Sequence, residues 1–234
     1  MDTVSSAILD PLMASDPAGP RITYYDDATG ERIELSTATL VNWAAKTGNL
    51  LRDEMGAGPV NKVAVLLPAH WQTAAVLFGI WWIGAEVVTG GQADIALCTA
   101  DRLGDADEAV GVGEIAVLSL DPFGKAVPDL PVGVTDYATA VRVHGDQISP
   151  ERNPGAALDG RSVANALSGA LASADAQGLT ASDRVMSTAG WKNATDLTDN
   201  LLALFAIGAS LVQVANPDAA ALDRRRQTEK ITRG

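Results

Sequence analysis

A chain of 234 residues with 47% hydrophobic content can build a sizeable core, so one or two domains are expected and disorder over most of its length is excluded. A formal net charge of −12 and a pI near 4.5 disfavour nucleic acid and anionic lipid as partners, because both need positive charge at the contact. Cys98 is the single cysteine, which rules out an intrachain disulfide and a cysteine-rich metal site.

The start of the chain is mixed and acidic and carries no charged segment followed by an apolar run, so a cytoplasmic protein is expected. Residues 4–14 place Ile8, Leu9 and Leu12 on one face of a short helix, which Pro17, Gly19 and Pro20 end. Ile22–Tyr25 and Arg32–Leu35 flank a turn containing Gly30 and read as a hairpin. Ser36 or Thr37 caps the next helix, Thr39 to Glu54, whose Leu40, Trp43, Ala44, Thr47, Leu50 and Leu51 recur every three and four residues. Gly56 and Gly58 terminate it.

The stretch from Asn61 to Gly91 organises the rest. It reads as a buried strand (Lys62 to Leu67), a turn at Pro68, a helix from about His70 to Ile83 and a second strand (Glu86 to Thr89), a unit that pairs its strands in parallel. The most apolar window, Ala74 to Val88, is shorter than the roughly 20 residues of a membrane span and is assigned to core. Trp71 and Trp82 share a helix face while Trp81 points elsewhere, an arrangement that suits packing or an interface better than a ligand cage.

Further strands are expected at residues 92–99 and 113–120, with a capped helical turn at Thr99–Leu103 between them. Residues 121–133 are loop, since three prolines and two glycines fall there. Thr135 caps a short helix from Asp136 to Val143. Residues 144–160 show the least pattern and mark a boundary between lobes. A helix (Ser162–Gly178), a strand (Arg184–Thr188), a helix (Asp196–Gly208), a strand (Ala209–Ala215) and a last helix from Pro217 to Arg226 complete the chain. The expectation is a layered α/β/α fold with mainly parallel sheets in two lobes, residues 1–145 and 161–234, joined by 146–160.

The order of these pieces resembles the N-terminal portion of the adenylate-forming superfamily, which includes acyl-CoA synthetases, luciferases and peptide-synthetase adenylation domains. The residues that carry the resemblance are the hairpin and helix at 22–58, NKVAVLLPAHWQTAAVLFGIWWIGAEVV, Asp183–Ser187 and LLALFAIGASLVQV. The family carries a Ser/Thr/Gly-rich phosphate loop ending in Pro-Lys-Gly before the helix matched by Ser162–Gly178. Here that place reads Asn153-Pro154-Gly155-Ala156-Ala157-Leu158-Asp159-Gly160-Arg161, short, without Thr or Lys, and with an added carboxylate. The family's histidine-bearing turn is matched by Gly190-Trp191-Lys192-Asn193-Ala194-Thr195-Asp196, which has no histidine. The match ends near the last residues, so the family's adenine, ribose and magnesium segments and its mobile C-terminal domain have no counterpart in the sequence.

The resemblance therefore implies a truncated, degenerate relative that binds or interacts and does not catalyse. Its ligand would be an acyl group, a nucleotide or a partner chain. The alternative is part of an AMP-forming, ligase-like enzyme completed by a second chain. No catalytic or metal-ligating residue is assigned. Gly160, Arg161 and Ser162 are candidates for a residual anion site, because a helix N-terminus beside an arginine attracts phosphate; the competing reading is an ordinary loop and cap. No cofactor is expected, with ATP or AMP left open. Gly79, Gly84, Gly90 and Gly91 lack the spacing of a dinucleotide loop. His70 could face substrate or merely start a helix, and Cys98 suits a core residue better than a nucleophile. The acids at Asp26/Asp27 and Asp105/Asp107/Glu108 are expected in solvated loops and Arg224–Arg226 at a solvated helix end. A homodimer is expected to bury a strand edge and apolar face near Ala209–Ala215.

Overall fold

The computed structural model describes residues 2–234. Helix α1 (Val4–Ser15) precedes the hairpin of β1 (Pro20–Asp26) and β2 (Glu31–Ser36). Ser36 then starts α2 (Thr37–Asp53), its hydroxyl accepting from the Thr39 N–H at 3.1 Å. Strand β3 (Lys62–Leu66), helix α3 (Trp71–Trp82) and β4 (Glu86–Val88) form the parallel unit read from the sequence. Next come β5 (Ile95–Cys98), α4 (Leu103–Val110), β6 (Glu114–Val117), β7 (Val134–Asp136) and α5 (Tyr137–Ala140). Strands β8 (Ala156–Leu158) and β9 (Arg161–Ser162) lead into α6 (Val163–Ala176) and β10 (Arg184–Ser187). Helices α7 (Ala194–Leu197) and α8 (Ala203–Ala206) run on through a π-helical turn (Thr198–Leu202), followed by β11 (Ser210–Ala215) and α9 (Ala219–Thr228).

Two sheets result. The larger has the order β7-β6-β5-β3-β4-β8-β9 and is parallel except for the β8–β9 pair. The smaller is β10-β11-β1-β2, parallel except for the β1–β2 hairpin. A single apolar cluster fills the space between them, drawing on α1, α2, α3, α6 and the α7–α8 run. The outer face of the larger sheet is covered by α4 through Ala106 and Val110. That of the smaller sheet packs on Leu222 of α9. Strand periodicity produces this division: Val63 and Leu67 face the central cluster while Ala64 and Leu66 face α4.

Helix α3 is buried along its whole length, as a helix apolar on every side must be. It crosses α2 where Gly48 and Gly79 meet: a Cβ on Gly79 would stand 2.8 Å from the Ala44 carbonyl oxygen and 2.9 Å from the Gly48 nitrogen. Trp81 donates its indole N–H to the Ala157 carbonyl at 2.7 Å, fixing α3 to β8, while Trp71 packs edge-on against Trp43.

Several expectations are corrected. The lobes do not follow the chain, because β1 from the N-terminal half pairs along β11 from the C-terminal half, and β8 and β9 join the larger sheet. Strand β11 is interior, between β10 and β1, so the free edge expected near Ala209–Ala215 does not exist. The outer side of β10 meets the last residues of the chain, with Met186 donating to the Arg233 carbonyl at 2.9 Å. The segment 92–94 stays outside β5, where Asp94 accepts from the Lys62 N–H at 2.8 Å. Asp105, Asp107 and Glu108 lie on α4, which extends the short turn read there, and Asp218 caps α9 from outside its first turn. Asp27 and Arg225 are not solvated: they form a 2.5 Å ion pair with side chains 13% and 9% exposed, beneath the Tyr25 ring.

Candidate functional site

From β3 the chain crosses through α3 to β4 on one side; from β5 it runs through α4 to β6 and then β7 on the other. The carboxyl ends of β3 and β5 thus flank a topological switch point, where two connections part and leave a crevice. A cavity of about 600 Å³ lies there, lined by Leu67 and Pro68 after β3, Thr89 after β4, Thr99 and Arg102 after β5, and Lys192 from the loop after β10.

The turn expected to carry a histidine in the family closes one wall of this crevice. Asn193 caps α7, its side-chain oxygen accepting from the Thr195 and Asp196 N–H groups at 2.9 Å each. Asp196 in return accepts from the Lys192 N–H at 3.0 Å. These bonds hold Trp191 against the cavity, 5% exposed and with its indole N–H unpartnered among the described residues. The Lys192 side chain folds over Gly190, and its ammonium has no carboxylate partner among the described residues. Arg102, by contrast, is paired with Asp105 at 2.9 Å.

The segment matched to the phosphate loop meets this crevice through Thr89, which Asp159 holds, and has a different shape. Strands β8 and β9 are joined by two residues, Asp159 at φ 43° and Gly160 at φ 78°. Positive φ at both positions is what a tight two-residue hairpin turn demands, and Asp-Gly is the sequence that meets it. Protein carboxylates then take the donors. The Gly160 N–H donates to Glu86 Oε1 at 2.5 Å, and Thr89 donates its N–H and hydroxyl to Asp159 at 2.9 and 2.7 Å. Ser162 Oγ accepts from the Asn165 N–H at 3.2 Å and caps α6, while Arg161 is exposed on β9. The three anion-site candidates are therefore adjacent, but the Gly160 amide is spent on Glu86 and the Ser162 oxygen on its own helix. Glu86 is the residue sequence reasoning missed, since only the β4–β8 pairing brings it to the turn.

His70 and Cys98 take structural places. His70 is 2% exposed, and its Nδ1 accepts from the Gln72 N–H at 3.1 Å to cap α3. Burial pulls its pKa from 6.5 down to about 3, against a smaller opposing pull from Asp26, so it is uncharged at neutral pH. Cys98 is fully buried on β5, and burial pushes its thiol up to about 11, far from a reactive thiolate. On the other side of Pro68, His70 borders a second cavity of about 830 Å³ between the β1–β2 turn and the loop after β6. Among the described residues, no helix is long and apolar enough to cross a membrane.

No model of a known protein family matches the sequence. A protein of Mycobacterium tuberculosis (strain ATCC 25618 / H37Rv), described as a TIGR03089 family protein, is 68% identical over 236 residues, covering 99% of this chain and 97% of that protein. Among solved structures, an acyl-CoA synthetase of Brucella canis superposes with a TM-score of 0.78 at 19% identity, covering 98% of this chain and 46% of that one. The anthranilate CoA ligase AuaEII gives 0.70 at 16% identity over 95% and 46% of the two chains. A benzoate CoA ligase from Burkholderia xenovorans LB400 gives 0.71 at 15% identity over 96% and 48%. The chain thus spans about half the length of these ligases, and its fold is that of the N-terminal portion of the adenylate-forming enzymes.

Proposed function

We propose that this chain, which belongs to the TIGR03089 family, is a non-catalytic relative of the AMP-forming acyl-CoA synthetases that acts as a binding or interaction protein in the cytoplasm. The observation that carries this reading is the Asp159-Gly160 turn. A triphosphate is held by a loop of free backbone N–H groups, hydroxyls and a lysine. Here the corresponding segment is a two-residue turn whose N–H groups donate to the Val87 carbonyl and to Glu86, while the neighbouring Thr89 N–H and hydroxyl are taken by Asp159. An incoming phosphate would meet the Glu86 and Asp159 carboxylates and neither turn N–H free, with the exposed Arg161 beside them. Loss of such donors costs orders of magnitude in rate.

The crevice beside the turn supports retained binding. Its lining combines apolar walls with the Trp191 indole and the Lys192 ammonium, which suits a small carboxylate-bearing or acyl ligand. The same open crevice is what favours the second reading, a partial adenylating site completed by another chain. ATP–pyrophosphate exchange over a panel of carboxylic acids separates the two. No exchange above background is expected from the purified chain, and robust exchange with any acid overturns the non-catalytic reading.

A further inference from the structure

The 830 Å³ cavity beyond Pro68 has a chemistry of its own. Its lining holds three acids, Asp26, Glu31 and Asp121, on walls that include Tyr24 and Phe123. Arg32 is the cation on that lining, and it is bound to Glu34 and Glu229 at 3.0 Å each. The Glu31 side chain is 12% exposed, and its Oε1 is buried without a hydrogen-bond partner among the described residues. The nearest basic group is His70 Nε2 at 3.8 Å, beyond hydrogen-bonding distance. Because His70 Nδ1 accepts from the Gln72 N–H, Nε2 carries the proton, on a side chain 98% buried, and that donor too has no hydrogen-bond partner. Asp26 and Asp121 each engage one carboxylate oxygen, the first with Ala28 and Asn216, the second with Phe123 and Lys125. Their other oxygens receive no hydrogen bond among the described residues.

Burial first, then the charges of Asp26 and Asp121, push the Glu31 carboxyl above its ordinary value despite the Trp71 N–H nearby. A desolvated carboxylate with only the Trp71 N–H near it and no cation is costly, and a bound cation relieves that cost. Among the described residues no group of three or more such side chains could hold a metal ion, so the charge is spread over a space that fits an organic molecule. We propose that this cavity binds a small organic cation: a protonated amine held by Glu31 with Asp26 and Asp121, with a neighbouring hydroxyl or carbonyl oxygen accepting from His70 Nε2–H and an apolar body against Tyr24 and Phe123. The aromatic faces favour a cation as well as an apolar surface.

Isothermal titration of the full chain with phenylalaninol tests this, because the probe joins an ammonium, a hydroxyl and an aromatic ring. N-acetylphenylalaninol removes the charge and 3-phenylpropionate reverses it. Submillimolar binding of phenylalaninol is expected, with at least tenfold weaker binding of both controls. Glu31→Gln should weaken phenylalaninol at least tenfold while leaving the melting temperature unchanged or higher, since it removes an unpaired carboxylate. Asp121→Asn, at a half-buried position, should weaken it at least threefold. Equal binding of the N-acetyl compound, full affinity in both variants, or no binding of phenylalaninol at millimolar concentration overturns the assignment.

Discussion

Two titratable side chains with large shifts, His70 and Glu229, contribute to how this protein responds to acid. His70 takes up a proton near pH 3 when folded and near 6.5 when free, so below about pH 6.5 the unfolded chain binds more protons and stability falls as pH falls. His70→Asn keeps a capping side chain on α3 and removes the titration. The urea midpoint of this variant is expected to change less between pH 7 and 5 than that of the native chain. Glu229 acts lower on the scale. Burial raises its carboxyl, but hydrogen bonds from Tyr25, Arg184 and Arg32 outweigh burial and bring it from 4.5 to about 2. Its contribution is present above about pH 4.5 and is lost as pH falls towards 2. Glu229→Gln leaves the Arg184 and Arg32 guanidiniums with Glu34 as their remaining carboxylate, at 3.5 and 3.0 Å, a loss of about 1–2 kcal/mol at neutral pH. Thermal melts should show the gap between Glu229→Gln and native protein narrowing from pH 5 to pH 3. The place of His70 at a helix start was legible locally, but the role of Glu229 was not, since Glu229 lies 204 positions from Tyr25 in sequence.

At the scale of elements, the α2–α3 crossing is a close contact that sequence alone misjudges. Glycine inside a helix costs about 1 kcal/mol relative to alanine, so helix propensity recommends Gly79→Ala. The packing reverses the sign, because the new Cβ would meet the backbone of α2 at 2.8–2.9 Å and backbone cannot swing aside. Overpacking of this kind costs about 1–3 kcal/mol. A melting temperature lower by about 5 °C is expected for Gly79→Ala. The β8–β9 turn gives the opposite lesson: the Asp159-Gly160 pair after Ala156–Leu158 is a hairpin-turn signal that could have been read from the sequence. It is masked there because β8 and β9 are three and two residues long, too short for strand periodicity to register.

At the scale of the whole molecule, one apolar cluster runs from α1 to β11 and joins both sheets. A shared core of that kind unfolds as a unit. Circular dichroism and tryptophan fluorescence are therefore expected to report one coincident denaturation curve, and a fragment of residues 1–145 should not fold, because β1 would lose β11 and Arg21 would lose the Gly208 and Ala209 carbonyls it donates to. Separate transitions for the two probes would contradict this. The sequence by itself determined the strand–helix–strand unit at Lys62–Val88, a helix start at Ser36 or Thr37, and the resemblance to adenylate-forming enzymes, since these depend on local periodicity, cap chemistry and the order of elements. The tertiary structure decided which strands are edges, which carboxylates are paired, and that Glu86 reaches the Gly160 amide. Those depend on strand pairing between distant segments, and pairing partners leave no periodic mark in a single chain.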